Sequence, residues 1–373
     1  MATTEQSLFD RAPGDPYRVL DEDGRVVDGA TVPDLADEQL LAMYREMRTA
    51  RHFDERMVSL QRQGRIGTYS PLAGQEAAQV ASTHALREDD WISYQYREHG
   101  AVVVRGLTPE YVRYWMGYEE GNASLVDQHI VPLNISIAGH IPHATGMAWA
   151  AKLKGDDRVV ACHFGDGATS EGDFHEGLNF AGVFDTPSVF FCHNNQWAIS
   201  VPRDRQTASA TIAQKADAYG FNGVQVDGMD PLASYAVSRA AVEKARNPAD
   251  GEARPTLVET LLYRFGAHTT ADDPTAYRDE AEVEAWREKD PIPRFEAFLR
   301  DRDLLDDERV ATIEDEIEEE VAAVVREAED VEPDPADLFA DAYAEETPRI
   351  REQREYLERL RERHGDDALL RDE

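Results

Sequence analysis

The chain has 373 residues, with 39 Lys and Arg against 74 Asp and Glu, so its formal net charge is −35. Hydrophobic residues make up 42% of the chain, enough to bury a core, which excludes wholesale disorder. The negative charge repels phosphate backbones and anionic lipid headgroups, so it argues against nucleic-acid and membrane-surface binding and favours cations and proteins as partners.

The longest apolar runs, such as 101–104 and 189–192, are far shorter than the roughly 18 residues that a membrane-spanning helix needs. No basic segment leads into an apolar one at the N-terminus, so we expect a cytoplasmic protein. Cys162 and Cys192 lie in apolar runs, which predicts buried, reduced thiols and no disulfide. Lys is scarce beside Arg, and together with the acidity this leads to the hypothesis of a halophilic protein, whose self-repulsion a high-salt cytoplasm would screen.

Residues 1–36 are polar and contain Pro- and Gly-rich turns, which predicts an irregular arm. From Asp37, apolar residues recur with helical spacing as far as Phe53, which predicts a helix capped by Asp37. Between about 75 and 265, helical stretches alternate with short apolar runs, which predicts a doubly wound parallel sheet with ligand sites beyond the carboxyl ends of its strands. The predicted strands are 158–164, 187–193, 223–226 and 256–263.

After residue 291 the chain is charged and helical. Its acidic run 315–320 is predicted to be a solvated helix face, a break follows at 332–335, and a last helix is predicted near 347–363. The sequence therefore predicts an N-terminal arm at 1–36, an α/β domain at 37–290 and a helical C-terminal extension at 291–373.

Two of the predicted strands end in polar residues typical of a metal site. The run 158–164 leads into Gly165, Asp166 and Gly167, and the run 187–193 leads into Asn194 and Asn195. Either element alone is usually an ordinary turn or loop. A strand, a crossover helix and the next parallel strand take about 30 residues, so this spacing brings Asp166 and Asn195 side by side. A carboxylate and an amide oxygen suit Mg²⁺, whose remaining positions phosphate oxygens and water would fill, so a diphosphate cofactor is implied.

These elements look like the thiamine diphosphate motif, and the run 165–200 resembles the α subunit of the first component of 2-oxo acid dehydrogenase complexes. The resemblance is nearest to pyruvate and branched-chain 2-oxo acid dehydrogenase α subunits and covers about residues 37–345. It implies the thiamine diphosphate-binding fold, with thiamine diphosphate and Mg²⁺ as cofactors. Further matching segments are 74–77, 96–100, 225–230, 263–268 and 272–278.

The resemblance also implies roles for individual residues. The side chains of Asp166 and Asn195 and the backbone carbonyl of Trp197, where the family usually has Tyr or Phe, would bind the metal. His268 would act in catalysis, in a mobile loop, by binding cofactor and handling protons. The implied cofactor-binding residues are Tyr96 and Arg97 at the diphosphate, Ile135 and Ile137 at the aminopyrimidine, and Gly165, Asp166, Gly167, Ala168, Asn195, Trp197 and His268.

Other positions stay open. Asp173 and Glu176 lie three apart on a predicted helix, either as an ordinary solvated face or as a polar passage that couples two active sites. His140 stands where relatives commonly have Gln, which affects hydrogen bonding near the cofactor ring. The sequence leaves phosphorylation of Thr269 undecided.

The implied reaction is decarboxylation of pyruvate and reductive acylation of lipoyl groups on an acyltransferase component. Branched-chain 2-oxo acid dehydrogenase is the alternative, and acetoin or sugar-handling thiamine chemistry or a noncatalytic scaffold are further ones. Thiamine activation needs a carboxylate that the family receives from a β subunit, so we expect an α2β2 heterotetramer that is active only with the β subunit.

Overall fold

A five-stranded parallel sheet lies at the centre of the chain in the computed structural model, which describes residues 8–9, 11–331, 334–340, 343–366 and 368. The four predicted strands are all present, and a short fifth strand pairs at one edge. The strands, in spatial order, are β1 (Trp91–Ser93), β2 (Val160–Gly165), β3 (Ser188–Asn194), β7 (Thr256–Leu261) and β6 (Asn222–Asp227). The prediction of a parallel α/β sheet is therefore confirmed.

The sheet is buried on both faces because successive side chains of its strands enter different cores. Ala161 and Phe191 belong to one hydrophobic cluster, whereas Cys162 and Phe190 belong to another. Both cysteines are buried and free, as predicted.

Helices flank the sheet and join its strands. A helix at Gly172–Phe184 connects β2 to β3, and a helix at Pro231–Arg246 connects β6 to β7, as parallel crossovers require. The helices up to the end of the sheet are α1 (Asp37–Arg62), α2 (Glu76–His84), α3 (His99–Gly106), α4 (Pro109–Trp115), α5 (Glu120–Ala123), α6 (His140–Lys154), α7 (Gly172–Phe184) and α8 (Pro231–Arg246). The short strands β4 (Trp197–Ala198) and β5 (Val201–Pro202) form a separate antiparallel pair just after β3.

The predicted start of α1 is right, but the predicted cap is wrong. Ala36 is the N-cap residue and Asp37 is the first helical residue. The backbone N–H of Ala36 is bound by the side-chain oxygen of Gln39 at 3.0 Å, so the capping interaction comes from inside the helix. Asp37 contributes a negative charge to the first turn, where the helix dipole favours it.

The described part of the N-terminal arm has helical residues at 8–9, then turns and isolated bridges, and it extends the sheet. The N–H of Tyr17 donates to the carbonyl of Gln225 at 2.9 Å, and the N–H of Asp227 donates to the carbonyl of Tyr17 at 3.0 Å. The arm thus pairs with the outer edge of β6.

From Glu280 onward the described chain is mostly helical, and the acidic run 315–320 is exposed apart from the half-buried Glu320 and the buried Ile317. The chain divides into compact units at 1–326 and 327–373, and our division at 36 and 290 stays a prediction. Glu332 and Pro333 of the predicted break lie outside the described residues. In the described residues no helix is long and apolar enough to cross a membrane. The helices that follow the sheet are α9 (Glu280–Arg287), α10 (Pro291–Asp301), α11 (Asp307–Glu329), α12 (Asp337–Ala340) and α13 (Pro348–His364). The last of them confirms the predicted final helix.

Candidate functional site

The candidate site lies at the carboxyl ends of β2 and β3. These strands pair in parallel with Gly165 opposite His193, so the chain leaves the sheet at Asp166 and at Asn195 on the same edge. A Cβ atom on Gly167 would lie 2.8 Å from the Cβ of Ala198, which shows how closely the two loops approach. The predicted proximity of the two polar loops is thus what the fold produces.

Asp166 is 1% exposed, and its two carboxylate oxygens differ. Oδ2 accepts a hydrogen bond from Nε2 of Gln206 at 2.6 Å, whereas Oδ1 is buried without a hydrogen-bond partner. Burial raises the pKa of Asp166 to about 6, against the lowering effect of Gln206 and of nearby backbone N–H groups. A buried carboxylate oxygen with no partner is costly, and a bound cation would satisfy it.

The second loop runs from Asn195 to Trp197. Asn195 is 5% exposed, and its Oδ1 accepts the N–H of Trp197 at 3.3 Å, which leaves it a second lone pair. The indole N–H of Trp197 donates to the hydroxyl of Tyr263 at 3.2 Å and so anchors this loop. Gln196, between them, has a φ of 74°, an uncommon left-handed conformation for a residue other than glycine. In the described residues no three His, Cys, Asp or Glu side chains form a metal cluster, so a cation here would rely on amide and carbonyl oxygens.

Two guanidinium groups converge on His268. Nη2 of Arg97 lies 3.1 Å from Nδ1 of His268 and donates to its carbonyl at 2.8 Å, and Nη1 of Arg264 lies 3.2 Å from the same Nδ1. Because a guanidinium only donates, Nδ1 must accept and the neutral ring carries its proton on Nε2. Burial and the charges of Arg97 and Arg264 lower the pKa of His268 to about 3, so the imidazole is neutral at physiological pH.

Hydrogen bonds to Asp272 and Tyr277 hold the loop that carries His268 in place. The N–H of His268 donates to the carboxylate of Asp272 at 2.8 Å, and the hydroxyl of Tyr277 donates to the same carboxylate. Arg264 donates to Tyr277 at 2.9 Å, and its Nε is buried without a partner. Arg97 lines the cavity beside His268, whereas Arg264 is a fully buried cation behind His268 that adds positive charge to this side of the site.

One cavity of about 210 Å³ is lined by Asp166, Asn195 and Trp197 together with Arg97 and His268. It brings together all of the predicted cofactor-binding residues except Ile135, which is 62% exposed and does not line it. The lining residues that sequence reasoning missed are Gln75, Gln95, Glu98, Glu171, Ala198 and Ile199. Gln75 and Glu98 fall inside or beside matching motifs, which could have signalled them, whereas Gln206 lies 40 residues from Asp166 and gives no local signal.

The remaining sequence candidates lie outside the cavity. His140 is buried at the start of α6, and its Nε2 donates to the carbonyl of His163 at 2.8 Å. Asp173 and Glu176 lie in the first turns of α7, and both are exposed.

The fold and this cavity define a doubly wound α/β protein whose site fits an anionic ligand together with a cation. The profile of the family described as "Dehydrogenase E1 component" matches residues 44–336. The chain is 45% identical over 328 residues to the 3-methyl-2-oxobutanoate dehydrogenase α subunit of Mycobacterium tuberculosis, covering 87% of this chain and 88% of that protein.

Two further relatives carry a different substrate in their names. The pyruvate dehydrogenase E1 α subunit of Bacillus subtilis is 43% identical over 320 residues, covering 85% of each chain. That of Staphylococcus aureus is 40% identical over 333 residues, covering 89% of each chain. The chain therefore belongs to the dehydrogenase E1 component family, as an α-type subunit of a 2-oxo acid dehydrogenase, which confirms the resemblance seen in the sequence.

Proposed function

We propose that the chain is the α subunit of a pyruvate dehydrogenase (acetyl-transferring) that binds thiamine diphosphate and Mg²⁺ in the cavity at the ends of β2 and β3. The observation that carries this proposal is the buried Oδ1 of Asp166, which has no partner and lies beside the Asn195 loop. The cluster of Arg97 and Arg264 supplies the positive charge that a diphosphate needs.

In this proposal the cation is held by the side chains of Asp166 and Asn195 and by the carbonyl of Trp197. The hydrogen bond from Gln206 holds Oδ2 of Asp166, so Oδ1 remains for the cation. Gly165, Gly167 and Ala168 line the same side of the cavity and let the ligand approach the backbone closely.

The diphosphate would be held by Tyr96, Arg97 and His268. Nδ1 of His268 is engaged by two guanidinium groups, so its Nε2–H remains free to donate to an anionic oxygen. The ring of Tyr96 lies edge-on to His268 with centroids 6.2 Å apart, which limits its movement. The backbone at Ile135 and Ile137 would meet the aminopyrimidine ring, and of these two residues Ile137 lines the cavity.

When bound, thiamine diphosphate supplies a carbanion that adds to the 2-oxo carbon and accepts the electrons left as carbon dioxide departs. His268 would hold its Nε2 proton against an oxygen atom of the reacting group and so stabilise negative charge there by hydrogen bonding. Trp197, Ala198 and Ile199 line one side of the cavity.

Pyruvate is the proposed substrate, and a branched-chain 2-oxo acid is the alternative because a relative named for 3-methyl-2-oxobutanoate is 45% identical. A difference of one or two methylenes in a pocket changes selectivity by only about 1–3 kcal/mol. The proposed partners are a β subunit, in an α2β2 heterotetramer in the cytoplasm, and a lipoyl acyltransferase component.

The experiment is decarboxylation by the chain coexpressed with a β-type subunit in high salt, using an artificial electron acceptor, with pyruvate or 3-methyl-2-oxobutanoate. We expect turnover that requires thiamine diphosphate and Mg²⁺ and that is faster with pyruvate. Faster turnover of 3-methyl-2-oxobutanoate would favour the alternative substrate. Turnover by the α chain alone would contradict the proposed need for a β subunit.

A further inference from the structure

Glu259 lies in β7, outside the cavity, and connects two segments that border the candidate site. It is 1% exposed, and both of its carboxylate oxygens are used. Oε1 accepts Nδ2 of Asn194 at 2.7 Å, and Oε2 accepts the backbone N–H of Ala213 at 2.8 Å. Glu259 lies outside the short sequence motifs that match the dehydrogenase α subunits and does not line the cavity, so the proposed function gives this buried carboxylate no role.

The contact with Glu259 fixes which way the amide of Asn194 points. Because the carboxylate only accepts, Nδ2 must face Glu259, and Oδ1 must face the next turn of chain. There, Oδ1 accepts the backbone N–H of Gln196 at 3.3 Å and Nε2 of Gln196 at 3.2 Å. These bonds hold Gln196 in its left-handed conformation, with a φ of 74°.

The turn at Gln196 determines where its two neighbours point. Asn195 and Trp197 flank it, and both are proposed cation ligands. If the amide of Asn194 reversed, its NH₂ group would face two donors of Gln196, and the turn would lose these bonds. The Glu259 carboxylate thus acts on the loop through a single orienting contact.

We propose that Glu259 is a positioning residue of the cation site, which acts through Asn194 to hold the turn that presents Asn195 and the Trp197 carbonyl. This inference rests on the proposed cation site. Hydrogen-bonding partners of this indirect kind typically change metal affinity by about 10–100-fold when they are removed.

Exchanging the carboxylate and the amide group between positions 259 and 194 tests the proposal directly. In Glu259→Gln, the NH₂ group of the new amide must face another donor, which is either the NH₂ group of Asn194 or the backbone N–H of Ala213. Asn194→Asp alone sets two carboxylates against each other. In the double variant, the amide of residue 259 donates to the new carboxylate and accepts from Ala213, while that carboxylate still accepts both bonds from Gln196. The double variant therefore restores the whole network with the same total charge.

The assay is binding of Mn²⁺, measured by electron paramagnetic resonance in the presence of thiamine diphosphate, to the assembly with a β-type subunit. We expect Glu259→Gln to weaken Mn²⁺ binding at least about tenfold and the double variant to bind within about threefold of wild type. Glu252→Gln is the matched control, since Glu252 also accepts a backbone N–H, that of Ala249, in an exposed loop. The control should bind Mn²⁺ as wild type does.

Unchanged affinity in Glu259→Gln, or a double variant no better than the single one, would overturn the inference. If Glu259→Gln does not assemble, Gln196→Ala tests the same line of contacts from its other end and should also weaken Mn²⁺ binding. Wild-type protein that binds thiamine diphosphate without Mn²⁺ would instead refute the cation site, so the two failures can be told apart.

Discussion

The carboxyl group of Asp54 is buried in α1 and holds the segment of chain that supports Arg97. It accepts hydrogen bonds from the hydroxyl of Tyr69 at 3.0 Å and from the N–H groups of Leu72 and Ala73 at 2.7 and 3.2 Å. The carbonyl of Pro71, within this segment, accepts a hydrogen bond from Nη1 of Arg97 at 2.6 Å. Burial nevertheless outweighs these donors and raises the pKa of Asp54 to about 7.

A carboxyl group whose pKa is higher in the folded chain than in the unfolded chain stabilises the fold at low pH. Its contribution is present in full below the unfolded pKa of about 3.9 and is lost as the pH rises through the folded pKa. Well inside this window each pH unit removes about 1.4 kcal/mol from the free energy of unfolding, and the slope falls to half at the folded pKa, so Asp54 loses about 2 kcal/mol between pH 5 and pH 7.

The substitution Asp54→Asn removes this ionisation while keeping the shape of the side chain. The new NH₂ group would face one of the three donors, at a cost of about 1–3 kcal/mol that does not depend on pH. We therefore expect the variant to be less stable than wild type at low pH, with the difference shrinking by about 2 kcal/mol between pH 5 and pH 7.

Urea unfolding followed by tryptophan fluorescence, at fixed salt and protein concentration across this pH window, measures the difference. Glu55→Gln is the control, because Glu55 is the next residue in α1 and is exposed. A difference between Asp54→Asn and wild type that stays constant with pH would show that the carboxyl group is ionised throughout. The argument from burial would then be wrong.

Three further predictions concern the cavity and the charge. Gly167→Ala should melt at a lower temperature than Gly165→Ala, because the added Cβ would lie 2.8 Å from that of Ala198, whereas nothing lies within 4 Å at Gly165; equal melting temperatures would contradict the close approach of the loops. In Arg97→Lys the side chain loses the planar fork that donates to the carbonyls of Pro71 and His268 together. Fluorescence titration should then show thiamine diphosphate binding weakened at least about tenfold. Unchanged affinity would argue against a role of Arg97 in binding the diphosphate. The net charge of −35 predicts that the melting temperature rises from low to molar KCl, and a flat profile would refute the halophilic hypothesis.

Local pattern was enough to predict the strands that form the site. The runs before Gly165 and Asn194 are continuous and apolar because both faces of the sheet are buried, so β2 and β3 stand out from the helices around them. The polar residues that end each strand then predicted the place of the cavity that we propose as the ligand site. The strand Trp91–Ser93 has only three residues, too few to show a pattern.

Contacts between distant parts of the chain could not be predicted in this way. Gln206 reaches Asp166 and Glu259 reaches Asn194 only because the fold brings separate segments together. Ile135 does not line the cavity, so its place at the cofactor ring stays a prediction. The cap of α1 was misplaced because Gln39, inside the helix, binds the free N–H of Ala36.

The central claim is that Asp166 and Asn195 hold a cation that is needed to bind thiamine diphosphate. Calorimetric titration of thiamine diphosphate into the assembly with a β-type subunit, in Mg²⁺ or in EDTA, tests this claim directly. The account predicts binding that requires Mg²⁺ in wild type and is lost in Asp166→Ala, with the assembly intact. Equally tight binding in EDTA, or by Asp166→Ala, would contradict it.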